Sequence, residues 1–592
     1  MTTSAELDAL VEGQTVFTRF CQVADEHPGA VALRRRLPDG SWEEWTFADL
    51  RARVGSVAAA LAARGVAAGD RVVLMMRNIP EFHAIDLAVA YLGATPISVY
   101  NSSSPDQVAY LAANARAVLA IVEDAGFGDR VAAVADQLPD LRAVLDLSVP
   151  EVRAELLDRT PLEVTADGAR CTPDTAATVI YTSGTTGPPK GVIITHRNLL
   201  WTTEAILSQL DIEPLGMDVV SYLPMAHIAE RMATHYLAVM GGLRVTTCPD
   251  TGLLHEYLLE VRPQLLFGVP RVWEKLYNGV QAALVDDPDR RTALAEAVAA
   301  AAPIVDRRAA GEATEEDEAT WAFLDEVAFS QVRTLLGLDR VQYAFSGAAP
   351  MPAELVSWFR AVGVPLSEIY GMSETTAFVT WEPHRVKAGT VGRPLAGSEV
   401  FLADDGEVCV RGGNVFTGYL DDPEKTADAL DETGALHTGD IGAFDDEGYL
   451  RIIDRKKELI ITAGGKNISP ANLEAALRTI PLVGQAVAIG DQRPYVAALV
   501  TLDPDVAPAW AKERGISYGS LEELAKHPEV VAEIELELGR VMSQFNNAER
   551  VKRFTVLPND WQPDSVELTP TAKLRRKEIH AKYREEIERL YS

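Results

Sequence analysis

Short apolar runs alternate with amphipathic stretches from Arg71 onward. RVVLMM is followed by a helical stretch after Pro80, then ATPISVY, a helix near Pro105, and AVLAIVED. This alternation predicts an α/β domain with a largely parallel sheet. ATVIYTSG (177–184), LLFGVP (265–270), VQYAFSG (341–347) and PLSEIYG (365–371) continue the series. Each ends in a loop of small or polar residues. In such sheets ligands bind at the carboxyl ends of the strands, so chemistry is expected in these loops.

Residues 285–335 break the pattern. They are rich in alanine and acids, with a charged cluster from Glu312 to Glu318, and read as a solvated helical insertion. From Val400 the texture becomes short alternating segments with turns, which predicts a small β-rich subdomain. The run Asp454-Arg455-Lys456-Lys457-Glu458 follows and is taken as the main boundary. Beyond it, a helix is expected over 471–478, then a hairpin in VGQAVAIGDQRPYVAALVTLD, then a mostly helical remainder. The segment 558–570 reads as loop from its three prolines.

Composition narrows the class. The chain has 592 residues, 47% hydrophobic and 24% charged, which excludes wholesale disorder. The net charge of −31 argues against nucleic acid as a partner, though a local basic site could still take an anionic substrate. Cys21, Cys171, Cys248 and Cys409 lie far apart, without metal-ligand spacing, as expected of free thiols in a reducing cytoplasm. The N-terminus does not read as a secretory signal. The longest apolar stretch near it, Leu87 to Val99, is too short to span a bilayer and contains Gly93 and Pro96. Peripheral contact with the inner face of a membrane stays open. Ile579, Tyr583, Ile587 and Leu590/Tyr591 form a helical stripe, expected to pack on its own domain rather than on lipid.

The densest chemical signal is Tyr181-Thr-Ser-Gly-Thr-Thr-Gly-Pro-Pro-Lys-Gly191. Small residues let backbone N–H groups approach an oxyanion, hydroxyls add donors, and Lys190 adds charge. This predicts a polyphosphate cradle. It is not the kinase and GTPase P-loop, because two prolines separate the second glycine from the lysine.

That stretch resembles the phosphate-loop motif of the adenylate-forming superfamily: acyl-CoA synthetases, luciferases and peptide-synthetase adenylation domains. Further motifs follow in that family's order: Ser221-Tyr-Leu-Pro-Met-Ala-His227, Tyr370-Gly-Met-Ser-Glu374-Thr375, Thr438-Gly-Asp440, Ile453-Asp-Arg455-Lys-Lys-Glu-Leu-Ile and Leu568-Thr-Pro-Thr-Ala-Lys573. The resemblance covers essentially the whole chain. It implies a large N-terminal AMP- and acyl-binding domain (1–454) of parallel α/β sheets with a small β-subdomain. A hinge (455–458) and a small mobile α+β C-terminal domain (459–592) would follow.

Carried over residue by residue, the resemblance implies an ATP site. It comprises Thr182, Ser183, Gly184, Thr185, Thr186, Gly187 and Lys190, then Gly347, Ala348, Ala349, Tyr370, Gly371, Thr375, Asp440, Arg455 and Lys573. Glu374 and Thr185 would hold Mg²⁺. Tyr370 would lie on adenine, with the Ser346–Ala349 loop opposite. Asp440 and Arg455 would hold the ribose hydroxyls. Lys573 would bridge substrate carboxylate and α-phosphate, and Ala572 stands where the family often has glycine. His227 would orient the carboxylate; a metal pair with His235 is not favoured, at a spacing of eight with no further ligand. Lys457 would be the hinge, and Gly464, Gly465 and Lys466 would enter for the CoA step.

Gly434-Ala-Leu-His-Thr-Gly-Asp-Ile-Gly442, Tyr222–Arg231 and Arg262–Lys275 look like the long-chain fatty acyl-CoA synthetase group, although Ala435 replaces its usual Trp. The expected reaction joins a fatty acid to CoA through acyl-AMP, with ATP, Mg²⁺ and CoA. The Val269–Val280 region is a candidate wall of the acyl tunnel, with ordinary core packing an equal reading. Two alternatives stand beside it: a fatty acyl-AMP ligase that loads a carrier protein, and a non-enzymatic ATP- or acyl-binding sensor. Oligomeric state is left open, a homodimer included.

Overall fold

The computed structural model describes all residues except 1, 183–187, 211–212, 462–466, 563–564 and 570–572. The chain divides into two units. The first comprises Met1–Ala348, Val356–Phe401 and Cys409–His437; the second comprises Ala349–Leu355, Leu402–Val408 and Thr438–Ser592.

In the first unit, strands Leu366–Tyr370, Tyr343–Ser346, Leu265–Gly268, Asp218–Ser221, Arg244–Thr247 and Val31–Arg36 lie side by side and parallel. Antiparallel edge strands Thr380–Trp381 and Trp42–Thr46 close the sheet at its two ends. The neighbouring strands over 265–268, 343–346 and 366–370 are almost wholly buried, which is why they read as apolar runs. A second, all-parallel sheet has the order Thr95–Ser98, Arg71–Met75, Leu119–Val122, Ala143–Asp146.

Helix starts follow local chemistry. Pro105 stands at the first turn of Pro105–Asn114, behind a Ser104/Gln107 capping box, and Thr195 with Asn198 caps His196–Gln209. Helix Pro80–Tyr91 is buried at all twelve positions, including Glu81, His83 and Asp86.

The run 177–184 departs from expectation. Strand Ala176–Thr182 is not a member of the parallel series; it pairs antiparallel with Lys190–Thr195, which pairs in turn with Gly418–Tyr419. Only seven residues separate the first two strands, too few for a parallel crossover. Thr182 and Lys190 are the last paired residues of these two strands.

The 285–335 stretch is helical: Pro288–Ala310, Glu315–Leu324, a π turn over Asp325–Phe329, and Ser330–Leu336. Its acids have local uses. Asp317 caps through Thr314 and pairs with Arg307, Glu318 pairs with Arg308, and Glu315 and Glu316 sit at a helix N-terminus.

In the second unit, strands Leu436–Phe444 and Leu450–Arg455 pair antiparallel. Helix Pro470–Leu477 and the hairpin Val483–Ile489/Val496–Leu502 follow. The expected helical remainder contains helices, but Val551–Leu557 is a strand parallel to Val496–Leu502. Lys552 and Arg553 are exposed on it and mask its alternation. Ile579, Tyr583, Ile587 and Leu590 pack against Val487, Leu499, Leu557 and Trp561, so the C-terminal stripe covers its own sheet. All four cysteines are free thiols, three of them buried. Among the described residues no helix is long and apolar enough to cross a membrane.

Candidate active site

Two loops of the first unit leave the carboxyl ends of the adjacent parallel strands Tyr343–Ser346 and Leu366–Tyr370. After Tyr343–Ser346 comes Gly347, where an added Cβ would lie 2.7 Å from the Ile369 side chain, and then Ala348 in the left-handed region at φ 72°. After Leu366–Tyr370 comes Gly371, where a Cβ would meet the Ala377 carbonyl at 1.8 Å. Only glycine fits there. Thr376 (φ 50°) and Ala377 (φ 76°) are also left-handed without being glycine, a local concentration of backbone strain.

This tight turn carries Glu374. Thr375 closes it by accepting from the Met372 amide at 3.1 Å. The segment 414–419 holds it from the side: the Phe416 amide donates to Glu374 O at 2.8 Å, and Thr376 Oγ1 donates to Asn414 O at 2.8 Å. Tyr419 then donates its hydroxyl to Glu374 Oε1 at 2.8 Å. Over the same ring sits Lys190 Nζ, 4.5 Å from the centroid. Lys190 and Thr182 are paired residues at the tip of the hairpin, and Tyr419 pairs with Val192 beside them. One aromatic residue thus joins Lys190 of the hairpin to the Glu374 carboxylate.

The geometry brings together Thr182, Lys190, Glu374 and Thr375, with Gly347, Ala348, Tyr370 and Gly371 on adjoining strand ends. Ser183, Gly184, Thr185, Thr186 and Gly187 lie outside the described residues, as do Gly464, Gly465 and Lys466.

His227 precedes the short helix Ile228–Glu230 and caps it, Nδ1 accepting from the Ala229 amide at 3.2 Å. In the neutral imidazole this leaves the proton on Nε2. His235 is elsewhere engaged, its Nε2 2.9 Å from Asp86 Oδ1 and its Nδ1 2.9 Å from His83 Nδ1, all in the interior. Asp86 also pairs with Arg231. Burial would raise the Asp86 carboxyl, but Arg231 and His235 outweigh it and hold it below its ordinary value. Among the described residues no group of three or more His, Cys, Asp or Glu side chains could hold a metal.

In the second unit, Asp440 and Arg455 are register partners on their two strands and form an ion pair, Nε to Oδ1 at 3.0 Å. Asp440 is buried. Lys456 pairs with Asp405 and Glu407, and Glu458 with Arg576, while Lys457 between them is exposed. Lys573 is exposed at the end of its loop; its amide donates to Thr569 Oγ1 at 3.0 Å and its carbonyl accepts from the Thr569 amide at 2.8 Å. Ala349 opens a short segment that clusters with this unit.

Tyr419 and Glu230 are not singled out by the sequence reading. Tyr419 lies in NVFTGYLDD, which shows no local mark of chemistry. Glu230 lies within Tyr222–Arg231, where the sequence gives it no role of its own; it is buried, and burial raises its carboxyl to about 7.

The family model for AMP-binding enzymes matches residues 20–420, and the model for the AMP-binding enzyme C-terminal domain matches 457–592. The long-chain-fatty-acid–CoA ligase FadD15 of Mycobacterium tuberculosis is 36% identical over 573 residues, covering 95% of this chain and 94% of the relative. The long-chain-fatty-acid–CoA ligase ACSBG1 of Rattus norvegicus is 30% identical over 623 residues, covering 98% and 85%. Among solved structures, the A domain of carboxylic acid reductase from Segniliparus rugosus, in complex with AMP and a carboxylic acid, superposes with a TM-score of 0.76 at 21% identity, covering 100% and 96%.

Proposed function

Because the chain belongs to the AMP-binding enzyme family, we propose that it is a long-chain fatty-acid–CoA ligase that works through an acyl-adenylate. The observation that carries the site assignment is the Lys190–Tyr419–Glu374 linkage, a cation and a carboxylate held on one rigid aromatic.

A carboxylate is a poor acyl donor because oxide is a poor leaving group. Its oxygen attacks the α-phosphate of ATP, pyrophosphate departs, and the resulting mixed anhydride reacts with the CoA thiol, releasing AMP. The first step brings two anions together on a chain of net charge −31, so local cations are needed. Lys190 meets the phosphates and Lys573 bridges carboxylate and α-phosphate. His227 donates from Nε2 to the carboxylate and orients it. Tyr370 and the Gly347–Ala349 loop enclose adenine, and Asp440 and Arg455 hold the ribose.

Glu374 is a hard oxygen donor fixed by Tyr419, which suits Mg²⁺; with one protein carboxylate, the ion's other ligands would be phosphate oxygens, water and Thr185. When bound it neutralises phosphate charge.

A small apolar void in the first unit is lined by Ile206, Leu210, Met232, Leu265, Phe345 and Trp381, among others; it has room for about one water molecule and does not hold a long acyl chain. We keep helix Pro270–Ala283 as the candidate wall of the acyl tunnel; its Trp273 is buried and packs on Phe359.

The two family models leave 421–456 between them. We place the hinge at 455–458 around Lys457, between an N-terminal domain of 1–454 and a C-terminal domain of 459–592. The C-terminal domain presents Lys573 for adenylation and Gly464–Lys466 for thioester formation. Fatty-acid-dependent exchange of labelled pyrophosphate into ATP tests the adenylation step: exchange with C12–C18 acids supports the reading, and none with any acid refutes it.

A further inference from the structure

The loop that carries His227 is closed on itself by one side chain. Glu230 Oε1 accepts from Ser221 Oγ at 2.8 Å and from the Tyr222 amide at 3.1 Å, where the loop leaves strand Asp218–Ser221. It also accepts from Thr234 Oγ1 at 2.8 Å, on the π turn Arg231–Tyr236 just beyond. Asn78, from the turn before helix Pro80–Tyr91, donates to Ser221 Oγ at 2.8 Å and to the Leu223 carbonyl at 2.9 Å. All of these groups are buried except Leu223, which is half-buried. The next residue, Arg231, is fully buried and anchored to Asp86 and to Ser98 Oγ (2.6 Å). The loop between Tyr222 and Ala229 therefore has both ends fixed to one carboxyl, three residues from His227. Single-turn π insertions in helices recur at functional sites.

We propose that Glu230 is a positioning residue for adenylation, holding the Tyr222–Ala229 loop so that His227 faces the substrate carboxylate. This rests on the assignment of His227 made above. Glu230 acts as an acceptor: Ser221, Tyr222 and Thr234 donate to Oε1, Asn78 Nδ2 is a longer fourth donor at 3.3 Å, and none of them requires a negative charge. Glutamine keeps an amide oxygen at the same reach and so preserves the acceptor without the charge. Alanine leaves the Ser221, Tyr222 and Thr234 donors without their acceptor and frees the loop.

The test is a double-mutant cycle on adenylation, with thermal melts alongside. Glu230→Ala should lower the adenylation kcat roughly 10- to 100-fold, the scale of a misplaced reacting group, with KM for ATP unchanged. Glu230→Gln should restore activity to within about threefold of wild type. In a His227→Ala background, Glu230→Ala should add no further loss. Asn78→Ala, a milder cut in the same network, should show a smaller loss that is also absent without His227, and it carries the test if Glu230→Ala does not fold. If the losses multiply in the double variant, or Gln fails as badly as Ala, Glu230 does not act through His227, although the His227 assignment stands. If His227→Ala alone is silent, the assignment itself falls and the proposal with it.

Discussion

The hydroxyl of Tyr419 donates to Glu374 Oε1 across 2.8 Å, and the two residues stand 45 positions apart in the chain. The same ring lies beneath Lys190, so Tyr419 sets the spacing between a cation and a carboxylate on different motifs. Tyr419→Phe keeps the ring and removes the donor. A hydrogen bond to a charged group contributes about 1.5–3 kcal/mol, so adenylation should fall roughly 10- to 100-fold. The loss should be deepest at low Mg²⁺, read by titrating Mg²⁺ in pyrophosphate exchange. Unchanged kinetics would mean that the contact is structural only.

Lys573 tests the division of labour between half-reactions. Lys573→Ala should lose on the order of 10²–10³ in adenylation, the usual scale for removing a group that stabilises developing charge. It should still convert supplied acyl-AMP and CoA to thioester. Equal failure of both half-reactions would refute a lysine that serves one step.

His196 gives a pH signature. It is buried at the start of helix His196–Gln209, neither ring nitrogen has a hydrogen-bond partner, and burial lowers its pKa to about 4. The ordinary value is 6.5. The folded state thus binds the proton less readily than the unfolded state, so stability is fully present above pH 6.5 and is lost as pH falls toward 4. At pH 5 this amounts to about 2 kcal/mol. Other buried groups titrate in the same range, so the difference between wild type and His196→Phe is the clean readout. The Tm of wild type should fall faster than that of the variant between pH 7 and pH 5.

Glu230 has the opposite sign. Its carboxyl is raised from 4.5 to about 7, so the stability it contributes is present below 4.5 and lost as pH rises through 7. By pH 8 the loss is about 3 kcal/mol. Glutamine does not titrate. The Tm of Glu230→Gln relative to wild type should therefore climb between pH 5 and pH 8 and then level off. A flat difference would show that Glu230 ionises normally.

The parallel sheet was legible because strands such as Leu265–Gly268 and Leu119–Val122 are buried at every position and punctuated by small-residue loops. Burial of both faces also misled. Ala176–Thr182 has the same apolar texture but pairs antiparallel, and only the shortness of its loop distinguishes it. Val551–Leu557 was missed because its two exposed basic residues break the alternation. The chemical motifs announced themselves through dense local patterns. Tyr419 and Asn78 did not, because their roles arise from contacts across 45 and 143 residues.

Product analysis tests the central claim most directly. The protein is incubated with ATP, Mg²⁺ and C12–C18 fatty acids, with and without CoA, and the products are identified by mass spectrometry. The account predicts acyl-CoA and AMP when CoA is present and enzyme-bound acyl-AMP when it is not. Acyl-AMP that accumulates regardless of CoA, or no adenylate from any acid, would contradict it.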